Sequence, residues 1–252
     1  MLDGLPLRLW LAYWRLLQRY HRYSAEGLEH LDGGEPRLIT GYHGRPLAFD
    51  MCMLTVALYD RLGYLPHGMV HRGVEYVPPM RWLARGLGFV ITDGPDLTAA
   101  IARGEHIITT PGGGDEGCRR FDDSYRVEWG DRVGYVRLAV KHGLKIVPAA
   151  SAGADSGFIG LNSGPALGRA LGLPKDYAFI VWTGIGALGL YPFSPAFPVR
   201  MHTLVGPPID PHDEGAVSPD DRAGLLRVHR RVTAAVQGVL DQARARMRRG
   251  EV

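Results

Sequence analysis

The sequence predicts an α/β domain: a mostly parallel central sheet flanked by helices, preceded by an amphipathic N-terminal helix. Three observations carry this. Short apolar runs such as "RLITGY", "HIITT" and "KIVPAA" alternate with helical stretches that end in glycine. The chain of 252 residues is 46% hydrophobic and 22% charged, which suits one domain with a substantial core. No internal repeat divides it.

The elements follow in order. "LPLRLWLAYWRLLQRYHRY" (5–23) reads as a helix beginning at Pro6. At the helical period, Arg8, Arg15, Arg19 and Arg22 fall within about 60° of one another. Leu9, Trp10, Leu11, Tyr13, Trp14, Leu16 and Leu17 cover the remaining face. A basic stripe beside a broad Leu/Trp face fits a helix lying in a membrane interface; it also fits a helix packed on its own domain. Residues 1–30 are therefore read as this helix and 31–252 as the main domain.

"RLITGY" is a strand ending in a turn that carries His43, and "FDMCMLTVALYDRLG" a helix closed by Gly63. "GMVHRGV" is a candidate strand, "PPMRWLARGLG" a helix with proline at its start and "FVIT" a strand. The helix "DLTAAIARG", the strand "HIITT", the loop "PGGGDEG", the helix "RVGYVRLAVKHG" and the strand "KIVPAA" complete the alternation. "YAFIVWTGIGALGLYPFSPAFPV" carries no charge, and its glycines and prolines exclude a clean helix. It reads as a buried strand and an apolar loop suited to walling an acyl chain or touching lipid. "MHTLVGPPID" is the last strand, before a helix from about Pro219 to Arg248 with a basic tail. That tail fits a cationic helix end or attraction to anionic headgroups.

The net charge of +3 is too small to imply a nucleic-acid partner. Cys52 and Cys118 make no metal or disulfide framework, which points to a reducing compartment. The N-terminus lacks the pattern of a secretory signal, and no run of 18 or more residues is uniformly apolar.

Three motif matches fail on context. "GIGALG" matches the dinucleotide fingerprint but is followed by "LYPFSPAFP", which cannot form the required helix. "HGMVH" spaces His67 and His71 without a supporting glutamate, on a segment read as a strand. "GADSG" sets Ser156 one place late for a nucleophile elbow.

Two stretches remain. In "ITGYHGRPLAFDMCML", His43 stands at the C-terminal end of a parallel strand, where open α/β sheets place their chemistry, and Asp50 opens the next helix. The carboxylate could hold one ring nitrogen and leave the other to take a proton; both residues equally suit a satisfied turn. In "TTPGGGDEGCRRF", successive glycines let backbone N–H groups approach a ligand, with Arg119 and Arg120 just beyond. A tight structural turn reads the same way.

Taken together, these blocks resemble the glycerolipid and lysophospholipid acyltransferase superfamily, nearest its diacylglycerol-acyltransferase-like branch. "LEHLDGGEPRLITGYHGRPLAFDMCML" is similar to the family's His/Asp block, and "LARGLGFVITDGPDLTAAIARGEHIITTPGGGDEG" to its second and Pro-Gly blocks. "YRVEWGDRVGYVRLAVKHGLKIVPAA" and "LYPFSPAFPVRMHTLVGPPID" resemble its later segments, so the match spans roughly residues 10–245.

The resemblance implies transfer of a fatty acyl group from acyl-CoA or acyl carrier protein to a lipid hydroxyl, by a peripheral or monotopic protein on the cytoplasmic membrane face. It implies His43 as general base, Asp50 as its orienting partner and no further cofactor. Gly44 and Arg45, the loop Pro111, Gly112, Gly113 and Gly114, and Arg119 and Arg120 would contact substrates. This sequence departs from the family in four places. The family's aspartate commonly follows histidine by five positions, where Ala48 stands here. Gly112 occupies the glutamate's place after proline, and no arginine lies near Thr92 to Gly94. The branch's arginine after Pro-Gly-Gly is also missing, with Asp115 near its place. These departures imply an uncharged acceptor rather than a lysophosphatidate. A lipid ester or thioester hydrolase and a non-catalytic acyl-lipid-binding protein are the alternatives.

Overall fold

The computed structural model describes residues 4–44, 48–91, 93–172, 180–185, 190 and 194–252. In chain order the elements begin α1 (Leu5–Tyr20), β1 (Ser24–Glu26), β2 (Arg37–Gly41), α2 (Phe49–Leu62), β3 (His67–Gly68) and α3 (Pro78–Gly86). There follow α4 (Pro95–Ala102), β4 (Ile107–Thr109), α5 (Gly113–Gly117), α6 (Gly134–His142), β5 (Lys145–Ala152) and β6 (Ile159–Gly160). The chain closes with α7 (Gly164–Ala170), β7 (Trp182–Thr183), β8 (His202–Val205) and α8 (Arg222–Arg249).

Among the described residues the main sheet has the order β1-β8-β5-β2-β4-β3. Strands β5, β2, β4 and β3 run parallel; β8 lies antiparallel to β5, and β1 parallel to β8. The expected mostly parallel sheet flanked by helices is thus observed. Strand β2 is central and covered on both faces, which is why "RLITG" is a continuous apolar run and not an alternating one. Ile39, Val147 and Val205 face Met51, Leu54 and Leu58 of α2. Leu38, Ile146 and Leu204 face the other way, onto α6 and onto Val232, Val236 and Leu240 of α8.

Local chemistry sets the helix ends. Gly63 takes a left-handed conformation (φ +78°) and closes α2 by donating its N–H to Tyr59 O. Helix α8 starts later than the expected Pro219 because the Asp221 carboxylate caps it, accepting from Gly224 N at 3.0 Å.

Helix α1 divides its wide apolar surface in two. Leu7, Leu11 and Trp14 are buried against Phe49, Met53 and Val56 of α2, and Trp10 Nε1 donates to Thr55 Oγ1 at 3.0 Å. Leu5, Leu9, Tyr13, Leu16 and Tyr20 lie on the opposite side and stay exposed. The N-terminal stretch continues directly into the sheet through β1.

Several expected elements differ. Of "GMVHRGV" (68–74) only Gly68 belongs to strand β3, which begins one residue earlier at His67, and Arg72–Tyr76 is a 3-10 helix. "FVIT" reduces to one parallel bridge between Val90 and Met69, with Thr92 outside the described residues. Both lie at the outer edge of the sheet beside β3, where Val90 bonds Gly68 and Val70 through its backbone and makes an isolated bridge with Met69. Of the long uncharged run, Trp182–Thr183 pairs with Ile159–Gly160 in a separate two-stranded ribbon. Positions 173–179, 186–189 and 191–193 lie outside the described residues.

Leu54 is fully buried between α2 and the sheet, against Ile39 of β2 and Val147 of β5. Leu54→Ala is expected to lower unfolding stability by about 3 kcal/mol, measured by urea denaturation.

Candidate active site

Because β2, β4 and β5 are parallel neighbours, their C-terminal ends meet at one edge of the sheet. The turn after β2 brings His43, the turn after β4 brings Pro111 to Gly117, and the turn after β5 brings Asp155. Open α/β sheets bind ligands at this edge.

The His43 backbone is held from both sides. Its N–H donates to Glu116 Oε2 at 2.8 Å, and its carbonyl accepts from Arg119 at 3.3 Å. The ring is partly buried, and Nδ1 lies 3.2 Å from Gly44 O. A carbonyl can only accept, so Nδ1 carries the proton and Nε2 keeps its lone pair. Burial lowers the imidazole pKa to about 4, so the ring is neutral at physiological pH. Gly117 makes room for it: a Cβ there would sit 2.4 Å from His43 Nδ1.

Glu116 organises the Pro-Gly block. Its buried carboxylate accepts from His43 N, from Trp129 Nε1 at 3.0 Å and from Glu128 N at 3.2 Å. Burial raises its pKa to about 7. A Cβ on Gly112 would fall 2.3 Å from Glu116 Oε2, so glycine at that place lets the carboxylate fold back. The side chain of Arg132 donates to Pro111 O and Gly112 O and pairs with Asp115. "PGGGDEG", expected as a loop, therefore closes into the helical turn α5. The Gly113 N–H is engaged by Thr110 O at 3.0 Å.

Asp50 is fully buried, and its Oδ1 accepts from Gly44 N at 3.2 Å. Its other oxygen has no hydrogen-bond partner among the described residues. The carboxylate thus holds the backbone beside His43, and the ring contact expected of it is made instead by Gly44 O. Gly44 fits between Asp50 and Ala154: an added Cβ would lie 2.6 Å from both Asp50 Oδ1 and Ala154 Cβ. The adjacent Asp155 is buried and accepts from Tyr42 Oη and from Tyr125 N, the latter at 2.7 Å. Ser156 Oγ, from the same motif, meets Tyr125 Oη at 2.7 Å.

The structure brings His43, Gly44, Asp50 and the Pro-Gly block together; Arg45 lies outside the described residues. Two expected ligand contacts take other roles. Arg119 is buried, donates to Glu116 O and Arg126 O at 2.5 Å each, and stacks over the Tyr42 ring at 4.5 Å. It braces the site because its donors are engaged by protein atoms. Arg120 is exposed and pairs with Asp122 at 3.0 Å. Sequence reasoning missed Glu116, Gly117, Trp129 and Asp155. Glu116 carried no usable signal, because the groups its carboxylate meets are brought to it by other turns.

No family model matches the chain. An uncharacterized protein of Mycobacterium tuberculosis is 26% identical over 227 residues, covering 88% of this chain and 61% of its own length. A human protein named "DGAT1/2-independent enzyme synthesizing storage lipids" is 25% identical over 198 residues, covering 77% of this chain and 55% of its own. The chain thus spans about three fifths or less of these relatives. The crystal structure of the 1-acyl-sn-glycerophosphate (LPA) acyltransferase PlsC from Thermotoga maritima superposes with a TM-score of 0.53 at 16% identity, over 92% of this chain and 78% of that one. The fold is shared with a lipid acyltransferase, and the distant sequence similarity reaches lipid-synthesising enzymes; neither singles out one branch.

Burial, followed by the nearby Asp155 charge, raises the Asp50 pKa from 3.8 to about 7. Between those values the folded chain keeps a proton that the unfolded chain releases, so this contribution to stability is lost as pH rises through the window. Asp50→Asn is expected to lose less stability than wild type over that range in urea unfolding at stepped pH. Equal pH slopes would contradict the assignment.

Proposed function

We propose that this chain is a membrane-associated acyltransferase that moves a fatty acyl group from acyl-CoA or acyl carrier protein to an uncharged lipid hydroxyl. The observation that carries the reading is the neutral His43 ring, with Nε2 unprotonated, clamped by the Pro-Gly block at the ligand-binding edge of the sheet. The fold shared with PlsC and the similarity to lipid-synthesising enzymes support the same reaction class.

In this reaction His43 Nε2 takes the proton of the acceptor hydroxyl as its oxygen attacks the thioester carbonyl. The tetrahedral intermediate collapses, the C–S bond breaks, and the departing thiolate takes the proton back from the imidazolium. An ester and a free thiol result, and no protein nucleophile is consumed. Gly44, Gly112, Gly113 and Gly114 would lie beside the reacting groups, and Asp50 would keep the Gly44 backbone in register. The commitment of Arg119 to backbone carbonyls, with Asp115 beside the loop, favours an acceptor without phosphate. The exposed stripe of α1, with Arg8, Arg15 and Arg19 beside it, supports docking on a membrane surface, which this reading sets at the cytoplasmic face. Among the described residues no helix is long and apolar enough to cross a membrane.

Acyl transfer from radiolabelled acyl-CoA to a panel of lipid hydroxyls tests the proposal. Wild type is expected to form ester, His43→Ala to lose about 10³-fold in rate, and Gly117→Ala to lose most activity by displacing the ring. Equal rates for wild type and His43→Ala would sink the base assignment. Fatty acid released without ester, whatever alcohol is added, would make the protein a hydrolase. Acyl ligand retained without turnover would make it a binding protein.

A further inference from the structure

Strand β3 is parallel to β4, so the chain leaves it at the same sheet edge that carries His43. It returns only at Val90, whose N–H bonds Gly68 O at 2.9 Å. Between them the 3-10 turn and α3 project with no buried residue. Tyr76 is 75% exposed and Trp82 48%, and Val77, Pro78, Pro79 and Met80 between them are exposed as well. An exposed apolar run of this kind marks an interaction surface. Its flanks are cationic: Arg72, Arg81 and Arg85 are exposed, against the single acid Glu75, 4.0 Å from Arg85.

This segment adjoins α1. A Cβ on Gly86 would meet Pro6 Cγ at 2.3 Å, and Leu83 and Phe89 pack into the cluster of Leu7, Leu11 and Trp14. Two neighbouring elements therefore both display apolar and aromatic side chains bordered by arginine. That combination complements a bilayer interface with anionic headgroups: Trp and Tyr settle at the boundary, and arginine meets phosphate.

We propose that Tyr76–Trp82 is a second membrane-inserting element, which sets the His43 edge of the sheet against an anionic bilayer. The proposal rests on the reading of the protein as membrane-docked, and adds the part of the surface that enters the lipid. It gives an apolar acceptor a route from the bilayer to the catalytic edge without crossing water.

Tryptophan quenching tests it. The full chain is mixed with phosphatidylglycerol–phosphatidylcholine vesicles whose acyl chains carry bromine, and wild type is compared with Trp82→Phe. Bromolipid quenching of wild type, largely lost in Trp82→Phe, is the expected result. Met80→Ser combined with Trp82→Ser is expected to weaken vesicle partition about tenfold, with the helical circular dichroism retained; the fluorescence comparison stands alone if that variant fails to fold. Vesicle binding with Trp82 still quenched by aqueous iodide would overturn this proposal and leave docking by α1, which Leu9→Ser with Leu16→Ser would abolish. Absence of any vesicle binding would overturn both. Concentration-dependent shielding of Trp82 without lipid would assign the segment to a second copy and also overturn it.

Discussion

The hydrogen bond from the His43 amide to Glu116 is the contact on which the rest of the site depends. It joins the turn after β2 to the turn after β4, two segments far apart in sequence. The bond requires Glu116 to be buried, and a buried carboxylate is costly unless every lone pair is answered. Trp129, the Glu128 amide and the guanidinium of Arg119, 3.7 Å away, answer it. Gly112 and Gly117 are the steric counterpart, since side chains there would collide with the carboxylate or with the imidazole. The Pro-Gly block thus works first as a clamp that fixes the orientation of His43.

Three buried carboxylates, Asp50, Glu116 and Asp155, surround one neutral imidazole, with Arg119 as the buried cation among them. Such a cluster opposes folding, and the apolar layers beneath, α2 against one sheet face and α8 against the other, offset it. The arrangement also explains why the ring is neutral. Burial above all, and then Arg119, disfavour its charged form; the hydrogen bond to Gly44 O and, less, the attraction of Asp155 oppose them without reversing the shift.

The fold was legible because its signals are local. Glycine caps, proline at helix starts and the continuous apolar runs of β2 and β5 need no tertiary knowledge. Element type failed where neighbours decide it. Strand β3 ends after Gly68, where the chain turns out to the 3-10 segment, and "GGDEG" becomes helical with Arg132 on its first turn and the Glu116 side chain tied to His43 and Trp129. In the site, His43, Asp50 and the glycine loop stood out through their turn chemistry. Glu116 did not, because its partners are backbone N–H groups brought by other turns. Arg119 looked available for an anion because a sequence does not show that its donors face carbonyls. "GADSG" drew attention to Ser156, whereas the residue beside it, Asp155, holds Tyr42 in place.

The central claim is that the fold presents His43 as a neutral base with Nδ1 protonated and Nε2 open. Nitrogen NMR of the protein labelled with ¹⁵N-histidine, with the His43 signals assigned by their loss in His43→Ala, measures both properties at once. The expected result is a titration midpoint well below the ordinary 6.5, near about 4, and shifts of the Nδ1–H tautomer. A midpoint at or above 6.5, or an Nε2–H tautomer at neutral pH, would contradict the account.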